Sequence, residues 1–276
     1  MENFNKIQEV LTRVSDDVQK FTNGNSSAGT RIRKAMQEIK NLAHEKIANY
    51  VKANNKKLFE QKIKSFHVFL KDAPPENIDI DYVFSRVEYL LPDSILNLVD
   101  VVYVGEFDIF KKRKINASYA DGALYVLNQQ DNNLDMIDDI IHEMAHAVED
   151  HYNDFLYDDE KIKEEYFAKL KKLKSYLAFE GYDIRNNNFF NEKYNADFDS
   201  FLYNDVGYDK LSGFIKNIFI NPYSCTSLRE YFSTGFEKYF LSNNHDLLKT
   251  MCPYVYKKVN VLVNNSPEEI NYGYDI

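Results

Sequence analysis

The sequence contains few of the residues that support disulfide-rich or membrane-spanning structures. Among its 276 residues there are two cysteines, nine glycines, six prolines and no tryptophan. Cys225 and Cys252 are too few for a disulfide framework or a thiolate zinc cluster, so we expect two ordinary thiols in a reducing compartment. No apolar run approaches the roughly 18 residues of a membrane helix, so no membrane partner is expected. The amino terminus lacks the basic start and apolar stretch of a secretory signal, which predicts a cytoplasmic protein.

Charge is unevenly distributed along the chain. Residues 1–72 hold 14 Lys and Arg against 8 Asp and Glu, whereas residues 73–276 hold 20 against 35. The formal net charge of −9 therefore combines a basic front of +6 with an acidic remainder of −15. Because 44% of the residues are hydrophobic, the chain can bury a sizeable core, and we expect a basic helical arm followed by an acidic globular body.

Apolar side chains in the first 72 residues recur at helical spacing. Helices are predicted over residues 3–21 and from Ser26 or Ser27 to residue 51, separated by Asn23-Gly24-Asn25. This arrangement indicates a helical hairpin. A looser helical pattern then includes Leu58, Ile63 and Phe69.

The body begins near residue 73, where Pro74-Pro75 marks a boundary between domains 1–72 and 73–276. Val99–Phe107 is rich in β-branched and aromatic residues and predicts a strand. Asp121-Gly122 predicts the turn of a hairpin between strands at residues 117–120 and 123–127.

Three helices are predicted after these strands. The first is capped near Asn132 or Asn133, and the second is a charged, exposed helix over residues 158–177. The third begins at Thr226 or Ser227 and ends at residue 242. The apolar face predicted for the first helix contains Leu134, Ile137, Ile140, Ile141, Met144, Ala145 and Val148.

Two histidines four residues apart, His142 and His146, flank Glu143 on the first of these helices. This spacing places both imidazoles on one side of the helix, close enough to hold one metal ion. Glu143 can then reach a water molecule at the open zinc position, whose pKa falls to about 7 and whose proton needs a carboxylate acceptor. The pattern predicts a zinc-dependent hydrolase in which the histidines are ligands and Glu143 is the general base.

A catalytic zinc ion usually has three protein ligands, and the third must come from elsewhere. The metzincin pattern requires a histidine at position 152, where the chain has Tyr152, and His151 lies off the ligand face. Glu164 or Glu165 stands at thermolysin-like spacing, but on a lysine-rich helix typical of a solvated face. Glu230 opens the aromatic third helix, which could pack beside the first.

A family resemblance is carried by two motifs, His142-Glu143-Met144-Ala145-His146 and Glu230-Tyr231-Phe232-Ser233-Thr234-Gly235-Phe236. Together they resemble the peptidase domain of the anthrax toxin lethal factor family, over residues 95–245. The resemblance implies a zincin-like α+β fold for residues 73–276, with a small mixed sheet, an active-site helix and C-terminal helices. It also implies a zinc endopeptidase with a peptide or protein substrate.

The same resemblance implies roles for two further residues. Glu230 corresponds to the third zinc ligand, and Tyr223, seven residues earlier, to the tyrosine that steadies the oxyanion. The family usually has an acidic residue four positions after the ligand glutamate, where this chain has Thr234. From the residues alone, Glu230 could instead form a capping box with Ser227, and Tyr223 could be a packed loop tyrosine.

A peptide substrate is expected to add as a strand along a sheet edge, and residues 119–127 are the candidate edge. In the arm, Ser27–Lys40 resembles the N-terminal region of bacterial linker-histone-like nucleoproteins, over residues 3–57. This resemblance implies DNA contact, whereas a hairpin for self-association or partner docking is the alternative. The rival function is therefore a DNA-associated structural or regulatory protein with an inactive peptidase-like body. Lys111-Lys112-Arg113-Lys114 is interpreted as a solvated loop.

Overall fold

The structure, a computed structural model, describes residues 2–22, 28–29, 31–32, 34–36, 38–39, 59–63, 66–113, 115–185, 187–266 and 269–270. The chain forms two compact units, Met1–Phe59 and Glu60–Ile276. This division lies before the boundary predicted near residue 73. The difference arises because Phe66–Leu70 forms a strand that pairs within the second unit.

The first unit contains helix α1, Glu2–Thr22, which matches the helix predicted over residues 3–21. The described positions between residues 28 and 39 are also helical. Arg31 pairs with Asp17 at 2.6 Å, and Arg13 pairs with Glu38. Because residues late in α1 meet residues early in the second segment, the two run antiparallel. A small apolar core between them consists of Val10, Val14 and Ala35, with Ile32 and Ile39 against it.

The predicted break at Asn23-Gly24-Asn25, the helix start at Ser26 or Ser27, and the rest of the second helix to residue 51 lie outside the described residues. So do Leu58 and Lys114. These predictions are therefore not compared with the structure.

A small sheet begins at Phe59, the last residue of the first unit, and its other residues lie in the second unit. Its strands are β1 (Phe59–Ile63), β2 (Phe66–Leu70), β3 (Val101–Val104), β4 (Ala117–Ala120) and β5 (Ala123–Val126). The order across the sheet is β1-β2-β3-β5-β4, in which β2, β3 and β5 are mutually parallel and β4 is antiparallel to β5. The combination of this sheet with helices confirms the mixed class predicted from the sequence.

The helical pattern predicted through Ile63 and Phe69 is wrong, because both residues lie in strands. Cross-strand packing decides the local structure. In register, Phe69, Tyr103 and Tyr125 lie side by side, with ring centroids 5.6 and 5.3 Å apart. Such aromatic neighbours on one sheet face outweigh a short, weakly periodic helical signal.

Ten helices follow in the second unit's described residues. They are α2 (Ile80–Leu90), α3 (Asp93–Leu96), α4 (Asp108–Arg113), α5 (Asn133–Tyr157), α6 (Lys161–Phe179), α7 (Ala196–Ser200), α8 (Tyr208–Phe214), α9 (Leu228–Leu241), α10 (Asp246–Met251) and α11 (Pro253–Asn264). A π-helix spans Phe201–Val206, and a 3-10 turn spans Tyr223–Cys225. No helix in the described part of the chain is long and apolar enough to span a bilayer.

Helix α5 is the centre of the second unit's core. Asn132 caps it by accepting from the backbone N–H groups of Leu134 and Asp135, as the sequence predicts. The predicted apolar face is buried except at Leu134, which is 61% exposed because it lies in the first turn. The helix contacts α2, α9, β4 and β5, which fixes its rotation about its own axis.

Two other local predictions have different outcomes. The segment at Lys111–Arg113 is helical rather than a loop, although Lys111 and Lys112 are exposed as expected. The helices predicted over residues 158–177 and from Thr226 or Ser227 to residue 242 correspond to α6 and α9. Helix α6 is exposed on one side only, because it buries Ile162, Tyr166, Leu170, Leu173 and Leu177.

A tight contact between α9 and α11 yields a stability prediction. A Cβ added at Gly235 would lie 2.6 Å from Val255 Cγ1, so Gly235→Ala should lower the free energy of unfolding by about 1–3 kcal/mol despite alanine's better helix propensity. Adding Val255→Ala should relieve the clash, so the double variant should lose less than the sum of the single losses. Thermal unfolding of the four proteins measures this, and additive losses would contradict the assigned contact.

Candidate metal centre

Helix α5 presents His142 and His146 on one side, one turn apart. Their ring centroids are 5.2 Å apart and their planes are almost perpendicular, at 87°. His146 is buried and His142 is half-buried, because the helix is covered by its neighbours over most of its length. The pair is therefore held in a site with little access to bulk water.

Helix α9 brings Glu230 to the two rings. Ser227 caps this helix by accepting from the Glu230 backbone N–H at 3.1 Å. The buried Glu230 carboxylate extends toward α5, with Oε2 at 3.0 Å from His142 Nε2 and Oε1 at 3.9 Å from His146 Nε2. Ser227 thus forms the N-cap hydrogen bond that the capping-box alternative predicts. The Glu230 carboxylate, however, faces the two imidazoles.

The geometry and chemistry of this cluster fit a zinc ion. One atom from each of His142, His146 and Glu230 lies within 4.8 Å of the others. Two ligands at 2.0–2.1 Å from a tetrahedral zinc ion are about 3.3 Å apart, close to the separations of 3.0 and 3.9 Å found here. Two neutral imidazoles and one carboxylate are also a known donor set for catalytic zinc, with a fourth position open to water.

The electrostatics of the cluster favour a positive charge beside Glu230. Burial by itself lowers the pKa of His142, but hydrogen bonds to Glu230 and Glu237 outweigh it and raise that pKa to about 10. Burial acts to raise the pKa of Glu230, but the His142 hydrogen bond and the His146 charge hold it below its usual value. A positive charge on the neighbouring rings therefore stabilises this carboxylate, and a metal ion bound to His142 would compete with a proton for that ring.

Two carboxylates outside the ligand set hold the far nitrogens of the rings. Glu237 Oε2 lies 3.3 Å from His142 Nδ1, and Glu149 Oε2 lies 3.1 Å from His146 Nδ1. Such partners fix the ring orientation and leave Nε2 as the metal-binding atom. Sequence reasoning missed both residues. Glu149 could have been identified from its position three residues after His146 on the same helix. Glu237 could have been identified from its position two turns after Glu230.

Two groups compete for the Nδ1 atom of His146. Arg229 Nε donates to this nitrogen at 2.9 Å, which requires it to carry no proton, and Arg229 Nε also lies 3.6 Å from Glu149 Oε2. A metal ion on Nε2 would require the ring proton on Nδ1, so Nδ1 would then donate to Glu149 and Arg229 would pair with that carboxylate instead of with the ring. The other Glu149 oxygen accepts from the Tyr157 hydroxyl.

The predicted general base, Glu143, is half-buried beside the histidines. Its Oε2 accepts a hydrogen bond of 2.7 Å from the backbone N–H of Tyr119 in β4. Glu143 follows His142 directly, so it lies about 100° around α5 from that ligand. The hydrogen bond from Tyr119 places the Glu143 carboxylate between α5 and the edge strand β4.

Tyr223 lies in the 3-10 turn that precedes α9, with its ring centroid 6.0 Å from that of His142. Its side chain is 39% exposed. Partial burial and the carboxylates of Glu230 and Glu143 raise the pKa of Tyr223, so its hydroxyl keeps the proton and can donate it in a hydrogen bond. The structure therefore brings all five predicted site residues into one region.

The competing third ligands lie elsewhere. Glu164 is exposed on α6, and Glu165 accepts from the Tyr231 hydroxyl at 2.7 Å and from the Tyr254 backbone N–H at 3.2 Å. His151 is exposed and its ring packs against Tyr152. Among the described residues, the cluster with ligand spacing contains Glu230 and none of these three.

Comparisons with known proteins concern the first unit. A family model described as Histone H1-like protein Hc1 matches residues 1–56. This match confirms that the N-terminal region is similar to histone-like nucleoproteins, as Ser27–Lys40 indicates. Neither the curated proteins nor the solved structures give a match.

The position of Glu230 yields a metal-binding prediction. Glu230→Gln should lower the zinc content of the purified protein sharply, because the amide lacks the negative charge that the cation pairs with. Glu165→Gln is the matched control, since this half-buried glutamate contacts tyrosines instead of histidines, and it should retain zinc. Elemental analysis of the parent and both variants measures the difference. Zinc loss in Glu165→Gln alone would show that the wrong carboxylate has been assigned.

Proposed function

We propose that the second unit is a zinc-dependent endopeptidase resembling the lethal factor peptidase domain. The observation that carries this proposal is the Glu230 carboxylate facing the Nε2 atoms of His142 and His146. Two motifs 88 residues apart along the chain converge in this contact, and a purely structural packing of α5 against α9 does not require it. The parallel sheet with an antiparallel edge strand is also consistent with a zincin fold.

His142, His146 and Glu230 would hold the ion. When bound, zinc supplies Lewis acidity that lowers the pKa of a water molecule to about 7 and polarises the substrate carbonyl. Glu237 and Glu149 keep the rings oriented through their Nδ1 atoms. Because the ligands lie on two packed helices, little reorganisation is needed for binding.

Glu143 would act as the general base. Its carboxylate accepts the proton of the attacking water and can return it to the leaving amine nitrogen. The Tyr119 N–H holds one oxygen of this carboxylate, which leaves the other available for the proton. The general base is thus positioned by the strand along which a peptide would bind.

Tyr223 would donate its phenolic hydrogen to the carbonyl oxygen as negative charge develops there. The hydroxyl remains protonated because the pKa of Tyr223 is raised by burial and by nearby carboxylates. Loss of one such donor typically costs about 2.7–4 kcal/mol of transition-state stabilisation. Its partial exposure allows contact with a bound substrate.

The substrate would be a peptide added as a strand at the sheet edge. The edge predicted over residues 119–127 is only partly correct, because β5 lies between β3 and β4. The candidate edge is therefore β4, Ala117–Ala120. This strand contacts Glu143 through the hydrogen bond that the Tyr119 backbone N–H donates. Main-chain hydrogen bonds along this strand would align an extended peptide with the metal site.

The assigned base yields a kinetic prediction. Glu143→Gln should retain zinc but lose peptide cleavage, since the amide cannot accept the proton of water. Cleavage of a general peptide library and zinc content are measured together. The control is Glu164→Gln, which makes the same chemical change on the exposed face of α6 and should leave cleavage unchanged. A Glu143→Gln variant as active as the parent would refute the mechanism.

A second candidate function, DNA association, is favoured by the Histone H1-like match over residues 1–56. Arg13 and Arg31 are paired with acidic residues, whereas Lys20 and Lys34 are exposed. We infer that such lysines would contact phosphates without reading the base sequence. The two functions are compatible, since the arm could localise a peptidase near targets on DNA.

DNA contact by the arm yields a salt-dependence prediction. Replacing Lys20 and Lys34 by alanine in the full chain should weaken binding of labelled duplexes regardless of sequence. The slope of log affinity against log salt should also fall by about 2, because each phosphate contact contributes about 0.9. Anisotropy titrations between about 50 and 200 mM salt measure this. Lys171→Ala with Lys172→Ala, an equal charge change on α6, should have little effect, and an equal effect would contradict a role for the arm.

A further inference from the structure

A serine hydroxyl lies between two of the assigned metal ligands. Ser233 follows Glu230 by one turn of α9 and is fully buried. Its Oγ is 3.1 Å from His142 Nε2 and 3.2 Å from Glu230 Oε2. It is also 3.3 Å from the backbone carbonyl of Glu230. The hydroxyl therefore contacts a ligand atom on each of two helices.

The Ser233 hydroxyl has one hydrogen, and the direction of its contact with His142 Nε2 depends on whether that nitrogen carries a proton. When a metal ion occupies the Nε2 lone pair of His142, that nitrogen can no longer accept a hydrogen bond. The remaining acceptors both belong to Glu230, and the carboxylate is the stronger because it is charged. Metal binding thus directs the Ser233 hydrogen to Glu230 Oε2.

We propose that Ser233 is a positioning residue that holds the Glu230 carboxylate in its ligand orientation, an inference that rests on the proposed zinc site. A donor on Oε2 stops the carboxylate from rotating and favours coordination through a single oxygen. Single-oxygen coordination keeps the fourth position available for water. The hydrogen bond also contributes support from within α9 itself.

Thr234 provides a contrast on the same helix. It is 1% exposed, and its Oγ1 has no hydrogen-bond partner among the described residues. Ser233 and Thr234 are therefore adjacent buried hydroxyls, of which one contacts the assigned ligands and the other has no hydrogen-bond partner in the described part of the chain. Removing each hydroxyl in turn separates an effect on the metal from a general effect of changing a buried polar group.

The test compares Ser233→Ala and Thr234→Val in the full chain, both of which conserve helical packing. Zinc affinity is measured by competition with a chromophoric chelator, and the coordination geometry by the visible absorption of the Co²⁺-loaded protein. Ser233→Ala should bind zinc about tenfold more weakly, the lower end of the range for partners of metal ligands, and should shift the Co²⁺ spectrum. Thr234→Val should match the parent in both measurements.

Each other outcome has a defined meaning. Equal zinc affinity in Ser233→Ala and the parent, with an unchanged Co²⁺ spectrum, would overturn the positioning role while leaving the zinc site intact. An equal loss of affinity in both variants would also overturn it, since the effect would then reflect packing of α9. A parent protein that binds no zinc would refute the proposed function and this inference with it. Unfolding midpoints of the metal-free proteins verify that both variants are folded.

Discussion

The second unit depends on a carboxylate buried against two imidazoles. Moving a charged Glu230 out of water costs several kcal/mol unless an opposite charge compensates it. Hydrogen bonds to Glu230 and Glu237 outweigh burial and raise the pKa of His142, so a protonated ring can provide that charge. A divalent cation coordinated by both rings would provide it more effectively and release the proton. The same contact therefore connects the packing of α5 and α9 with the proposed chemistry.

Several local features maintain this contact. Ser227 sets the start of α9 and hence the rotation of Glu230 around the helix. Gly235 permits α11 to approach α9 closely, since a side chain there would meet Val255. On the α5 side, Glu149 is held by both Tyr157 and Arg229, so the partner of His146 is itself fixed. The site is thus built on rigid helices, which is the arrangement that preorganises a metal centre.

Local patterns were the most predictable from sequence. The four-residue spacing of His142 and His146 depends only on helix geometry, and the cap at Asn132 is equally local. Predicting Glu230 as the third ligand required a second motif, because spacing along the chain does not determine which distant acidic residue packs beside a helix. Glu149 and Glu237 were missed because their contacts depend on how α5 and α9 rotate against each other. The strands at Ile63 and Phe69 were missed because partners on neighbouring strands determined their structure.

The most direct test of the account is a crystal structure of the zinc-loaded protein with anomalous data at the zinc edge. We predict an anomalous peak about 2.0–2.2 Å from His142 Nε2, His146 Nε2 and a Glu230 oxygen, with the Nδ1 contacts to Glu237 and Glu149 retained. A zinc peak beside other residues would contradict the account. So would a structure with no zinc peak in which Glu230 stays hydrogen-bonded to His142.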